Sequence, residues 1–292
     1  INQNLKDIVQ ATEGKKITEC VGEKRLLSLD LEFSFEDMEN NSIEYPELIY
    51  DGPFSDSKKY CFHAIDALEE ISSEQALEKA VRLFGLKDAV YKGETDGKTK
   101  VYEIEGNVDG YDAYVSVSKK GGMIIGFNRT KDVSGVTLTQ EQACRIATDR
   151  ITELGYENLQ PVWYNSENGV GFVNLAPVEN GVTYYTDLVK VKVALDDGTI
   201  LGCEATGYCS AHHERELAPT VSEKTVRSLV NPKITVEKVS LAVIPDGETE
   251  KFCYEVYGSY KGLDYFIYVD AENGAQVDVL RVIDSGQGSM IM

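Results

Sequence analysis

The feature that most constrains this chain is an internal repeat, in which an acidic helix start is followed by alternating apolar strands that end in a glycine hairpin. The helix starts read Ile71-Ser72-Ser73-Glu74-Gln75-Ala76, Leu138-Thr139-Gln140-Glu141-Gln142-Ala143 and Val221-Ser222-Glu223-Lys224-Thr225-Val226. Each places a hydroxyl N-cap before an acidic first turn, which is how a helix N-terminus satisfies its free N–H groups. The closing strands read Tyr114-Val115-Ser116-Val117 before Gly121-Gly122, Val191-Lys192-Val193-Ala194-Leu195 before Asp197-Gly198, and Phe266-Ile267-Tyr268-Val269 before Asn273-Gly274. Gly122, Gly198 and Gly274 keep one interval of 76 residues. Repeating a helix and a sheet extends a surface without gathering a catalytic cluster, so the pattern points to binding.

The 292 residues are expected to form a docking segment over 1–65 and three modules over 66–131, 132–218 and 219–284, each a helix packed on an antiparallel sheet. The class is α+β, because neighbouring strands can all be joined by tight turns. Helices are predicted over Ser73 to Phe84, over Gln140 to Leu154 stopped by Gly155, and over a short stretch before Asn231-Pro232. Strands are predicted near 98–105, 111–118 and 123–128, then Gln160 to Asn165, Val170 to Val178, Val182 to Leu195 and Ile200 to Tyr208. The last module is given strands over Ile234 to Ile244, Glu250 to Tyr257, Leu263 to Asp270 and Gln276 to Val282, with a loose tail from Asp284. In the N-terminal segment Leu27, Leu29, Leu31, Phe33 and Phe35 alternate as a half-buried strand does. Tyr50, Asp51, Gly52, Pro53, Phe54, Ser55 and Asp56 read as an extended strip entering a turn, fastening the chain to the first module.

The 49 Asp plus Glu against 29 Lys plus Arg leave a net charge of -20, which repels phosphate backbones and anionic lipid headgroups. Nucleic acid is therefore excluded as a partner, while 42% hydrophobic residues suffice for a core in each module. No stretch has the roughly 20 apolar residues of a membrane span. The chain opens at Ile1 in a helix-like pattern (Leu5, Ile8, Val9), so a further N-terminal portion, with room for an anchor, is expected to precede it. The six cysteines show no CxxC spacing and are read as free thiols, with Cys144 and Cys253 acting as small buried hydrophobes.

The segment His212-His213-Glu214-Arg215, close to Cys209, is where chemistry would be sought first. Adjacent histidines on an extended segment point to opposite sides, so they do not converge on one metal as an i, i+4 helical pair would. Neither Cys61-Phe62-His63 nor Cys209 with His212 has the sequence of an activated thiol. The Asp-Gly and Asn-Gly turns lack the ligand series of a calcium loop. No cofactor, metal or catalytic residue is expected, and the strip at Tyr50 to Asp56 and the bridge at His212 to Leu217 remain as contact or structural segments.

The order of Leu48-Ile49-Tyr50-Asp51-Gly52-Pro53-Phe54-Ser55-Asp56, three helix-and-sheet units, Glu204-Ala205-Thr206-Gly207-Tyr208 and His212-His213-Glu214-Arg215-Glu216-Leu217 resembles the YpeB family of spore germination proteins, and the repeated unit resembles its PepSY domain. The resemblance covers about Tyr45 to Val282. It implies a non-enzymatic protein of endospore formers, held by an N-terminal anchor on the outer side of the spore's inner membrane or in the cortex. It further implies a partner, a cortex-lytic peptidoglycan enzyme of the SleB type, which the protein stabilises and holds inactive until germination. Two other readings remain open: a peptidase inhibitor of the protease-propeptide kind, and a wall-binding module whose 17 Tyr and 9 Phe stack on sugar rings. A homodimer is compatible with all three.

Overall fold

The structure is a computed structural model and describes residues 54, 63–96, 99–247, 249–285 and 288–291. Leu5, Ile8, Val9, Cys20, Cys61, the strand proposed over Leu27 to Phe35, and Tyr50, Asp51, Gly52, Pro53, Ser55 and Asp56 of the strip lie outside the described residues.

The chain is a mixed α+β protein with few helices on a large sheet. After α1 (His63–Asp66), α2 (Ser73–Phe84) begins at a capping box: the Ser72 hydroxyl accepts from the Gln75 N–H, and the Gln75 side chain accepts from the Ser72 N–H. α3 (Gln140–Glu153) starts at the same device built from Thr139 and Gln142. Both helices run where their caps and 3.6-residue periodicity predict. They bury Ala76, Ala80 and Phe84, and Ala143, Ala147 and Ile151, against the strands.

Around α2 lie β1 (Lys87–Asp96), β2 (Lys100–Val108), β3 (Tyr111–Ser118) and β4 (Ile124–Arg129). Around α3 lie β5 (Leu159–Glu167), β6 (Val170–Glu179), β8 (Val189–Ala194) and β9 (Ile200–Glu204), with the short β7 (Val182–Tyr184) between β6 and β8. β4 pairs with β9, so these strands form one run, β1-β2-β3-β4-β9-β8-β6-β5. Fusing the two sheets merges their cores. Ile104, Val115 and Ile124 belong to the same buried cluster as Val173, Val191 and Val193, a correction to the expectation of a separate core for each module. The seam between α2 and α3 is closed by Phe84 stacked on Phe127 at 4.2 Å and by Arg150, which lies over the Phe84 ring and donates to the Leu83 carbonyl at 2.6 Å.

A second core forms where α5 (Glu223–Leu229) packs on β10 (Thr235–Asp246), β11 (Thr249–Tyr260) and β12 (Leu263–Asp270), next to β13 (Gln276–Ser285). Val226, Val256, Tyr265 and Ile267 are its centre. As the Asn231-Pro232 step predicts, α5 is short, at 7 residues.

The structure corrects several further expectations. β1 was not anticipated; its two register shifts against β2 break the alternation that marks a strand. The strand expected over Val182 to Leu195 is interrupted by a 3-10 turn at Tyr185–Asp187, and Tyr208 lies in a short helix, α4 (Thr206–Ala211), not in a strand. The pairing is not wholly antiparallel, since β7 runs parallel to β10 through Leu241↔Val182 and Val243↔Tyr184. Two strands far apart in sequence can pair this way without a tight turn. The tail expected to be loose forms β14 (Gly288–Ile291), paired with β13 and touching β5 at Asn165.

Candidate functional site

The hairpin glycines seat the residue that precedes each helix cap. A Cβ at Gly122 would lie 2.7 Å from Ile71 Cδ1, one at Gly198 2.9 Å from Ile146 and 3.4 Å from Leu138, and one at Gly274 2.9 Å from Leu229 and 3.7 Å from Val221. The same residues are tied to the strand end by their backbone: Ile71 N–H donates to the Lys119 carbonyl, Leu138 N–H to Leu195, and Val221 N–H to Ala271. The sequence interval therefore encodes a joint at which an apolar residue fills the space left by a missing side chain.

The segment His212 to Arg215 leaves α4 and crosses from the first core to the second. Arg215 is the keystone, its side chain only 3% exposed. Its guanidinium donates to Glu250 twice, both at 2.9 Å, and to Asp187 at 2.9 and 3.0 Å. It also donates to the Ala211 carbonyl at 3.0 Å and lies over the Tyr184 ring at 4.7 Å. Asp187, fully buried at the end of the 3-10 turn, has two further partners: His212 Nδ1 at 2.9 Å, and the Thr186 hydroxyl donating at 2.6 Å. Burial pushes the Asp187 carboxyl up, but the hydrogen bonds from His212 and Arg215 outweigh it and hold it below the usual range. The surrounding carboxylates hold the Arg215 guanidinium in its charged form against the opposing effect of burial.

The two histidines face different partners. His212 stacks on Tyr208 at 4.1 Å, whereas His213 lies 3.5 Å from Glu250 and 5.6 Å, ring to ring, from His63. Glu214 is exposed. Cys209 is directed elsewhere, toward the Tyr156 hydroxyl at 3.6 Å, and burial pushes its thiol up to about 12. Cys209, His212 and His213 thus do not share one cleft. Cys144, Cys203, Cys209 and Cys253 are free thiols, and among the described residues no group of three or more His, Cys, Asp or Glu side chains could hold a metal ion.

Phe54, the described residue of the strip, packs against Tyr185 at 5.7 Å and Tyr268 at 5.1 Å, beside Val162, Ala242 and Ile244. It therefore touches the junction of the two cores and not the strands around α2. Beneath it Glu255 is buried and accepts from the Tyr268 hydroxyl at 2.9 Å; burial raises its carboxyl above the ordinary value. Glu255, Tyr185 and Tyr268 were not foreseen, because a carboxylate in the middle of an alternating strand carries no local mark of its partners. Asp187 and Glu250 escaped for the same reason.

Helices packed on largely antiparallel strands, with ionisable groups paired between elements, define a mixed α+β protein. Residues 31–218 match the family described as "YpeB sporulation, PepSY1 and PepSY2 domains", and residues 220–280 match "Peptidase propeptide and YPEB domain". The chain belongs to the YpeB family, and its role is related to sporulation. Its relatives include the "Sporulation protein YpeB" of Halalkalibacterium halodurans, 30% identical over 73% of this chain and 49% of that protein. The protein of the same name from Oceanobacillus iheyensis is 28% identical over 74% of this chain and 49% of its own length. The chain thus spans about half the length of the curated relatives it matches. The solved "Bacillus megaterium YpeB C-terminal domain", 24% identical, shares the fold with a TM-score of 0.66 over 74% of this chain and all of that one. No described helix is long and apolar enough to cross a membrane.

Proposed function

We propose that the chain is a non-enzymatic, extracytoplasmic spore protein of three PepSY-like modules, which binds a cortex-lytic peptidoglycan enzyme of the SleB type, stabilises it and holds it inactive until germination. The observation that carries this reading is the Asp187–Arg215–Glu250 clamp. It uses a buried polar cluster to fasten the first core to the second, which suits a rigid presenting surface rather than a reactive centre. The recurring joint at Gly122, Gly198 and Gly274 supports the three-module division. Inhibition would then follow from occlusion, with a sheet face covering the enzyme's cleft.

Calorimetric titration of the chain against the cortex-lytic enzyme of the same organism, with lysis of decoated spore cortex followed in parallel, tests it. Binding with loss of lysis supports direct inhibition. Binding without loss leaves stabilisation alone, and no binding removes a direct contact through these residues. The match of residues 220–280 to a peptidase-propeptide description favours a second reading, inhibition of a protease. Tight binding to a metalloprotease without cleavage of the chain would support that one.

A further inference from the structure

Along β8, Val189, Val191 and Val193 turn into the core, so Lys190 and Lys192 face the opposite, helix-free side of the sheet. On that side one cross-strand row runs Asn128 (β4), Gly202 (β9), Lys192 (β8), Phe172 (β6) and Asn165 (β5). The row floors an open cleft of about 550 Å³. Beyond Asn128 it continues to Tyr114 of β3, which is 44% exposed. Tyr114 and Phe172 are four strand spacings apart, about 19 Å at about 4.8 Å per strand, so the row suits an elongated ligand.

Three recognition groups in this row are unspent. Among the described residues the Asn128 amide makes no hydrogen bond, Lys192 makes no ion pair and the Phe172 ring stacks on no other ring. Glycine at position 202 brings two of them together: a Cβ there would lie 3.3 Å from Asn128 Oδ1 and 3.7 Å from Lys192 Cδ.

The chemistry of the ligand follows from what the cleft offers and withholds. Strands β4, β9, β8 and β6 are paired on both edges, so a peptide cannot add a strand here and gain main-chain hydrogen bonds. Lys190 and Lys192 are offset by Glu167 and Glu204, which makes the cleft a near-neutral region on a chain of net charge -20. What remains is an aromatic face for stacking on C–H groups and an amide and an ammonium for oxygen-rich substituents. We propose that this cleft binds a neutral, N-acetylated oligosaccharide, lying across the strands with a sugar ring on Phe172 and its acetamido and hydroxyl groups on Asn128 and Lys192.

Trp163, the chain's single Trp, is paired with Asn174 on β5 two residues from Asn165 and gives a local fluorescence reporter. Tetra-N-acetylchitotetraose should bind the chain saturably by calorimetry and change the Trp163 emission. Asn128→Ala and Lys192→Ala, both at exposed positions, should each weaken binding about tenfold, the scale of one lost hydrogen bond to a charged or amide group, with the melting temperature unchanged. Phe172→Leu, which keeps most of the volume and removes the ring, should weaken it at least as much. Absence of saturable calorimetric binding overturns the proposal, as does unchanged affinity in all three variants, or an acidic peptide that displaces the sugar from the cleft. None of these results bears on the enzyme partner, which is tested with the enzyme alone.

Discussion

At the scale of single residues, Arg215 decides most. Removing it leaves Asp187 ionised, fully buried and short of its main counter-charge, so Arg215→Ala should cost about 3–5 kcal/mol, read from urea unfolding. Arg215→Lys should recover little, since one ammonium cannot span two forked carboxylate pairs. The titration of three carboxyls is also predictable. Hydrogen bonding from the Ser134 backbone and from Lys131 pulls Asp196 down to about 2, and Asp187 is likewise depressed. Such groups stabilise the fold fully above their unfolded value of 3.8 and lose that contribution as pH falls through the folded value. Stability should therefore drop between about pH 4 and pH 2, and Asp196→Asn should flatten that limb. Glu255 works with the opposite sign. Its raised value means that the fold gains most below the ordinary value of 4.5 and loses as pH rises through the folded value. Glu255→Gln should match or exceed the parent in stability at neutral pH by thermal melting. The sequence drew attention to His212 through Arg215, but the partners Asp187 and Glu250 lie 28 and 35 residues away, and only folding brings them to the guanidinium.

At the scale of elements, helices α2 and α3 were legible because their caps, first turns and apolar stripes are local. Thr139→Ala should cost about 1 kcal/mol through the lost cap. Gly198→Ala should cost about 1–3 kcal/mol, because φ at this position is +83° and the new carbon would press on Ile146 at 2.9 Å. Both losses are readable as shifts in thermal midpoint. β1 was not legible: Lys87-Asp88-Ala89-Val90-Tyr91-Lys92-Gly93 is polar and bulged, as an edge strand that avoids further pairing often is. The break at Tyr185–Asp187 was hidden because all three residues are buried by tertiary contacts, which lets a polar turn sit inside an apolar run.

At the scale of the whole molecule, β1 to β6, β8 and β9 share one core, whereas α5 and β10 to β12 enclose another. The two are linked by the parallel β7–β10 pair, the β14–β5 contact, the Arg215 clamp and a smaller apolar cluster in which Tyr185 and Leu188 meet Ile244 and Tyr268. Hydrogen exchange should accordingly show residues 223–285 opening as one unit and 73–204 as another. Arg215→Ala should lower protection in 223–285 first. Uniform loss of protection across both units would contradict this division. By itself the sequence determined the acidic net charge and what depends on neighbours a few residues apart: the helix starts, the alternating strands and the hairpin turns. The fusion of the sheets at β4 and β9, the buried clamp around Asp187 and the cleft around Gly202 were decided only by the tertiary structure. Each depends on residues far apart in the chain, held together by burial and backbone pairing that no short stretch encodes.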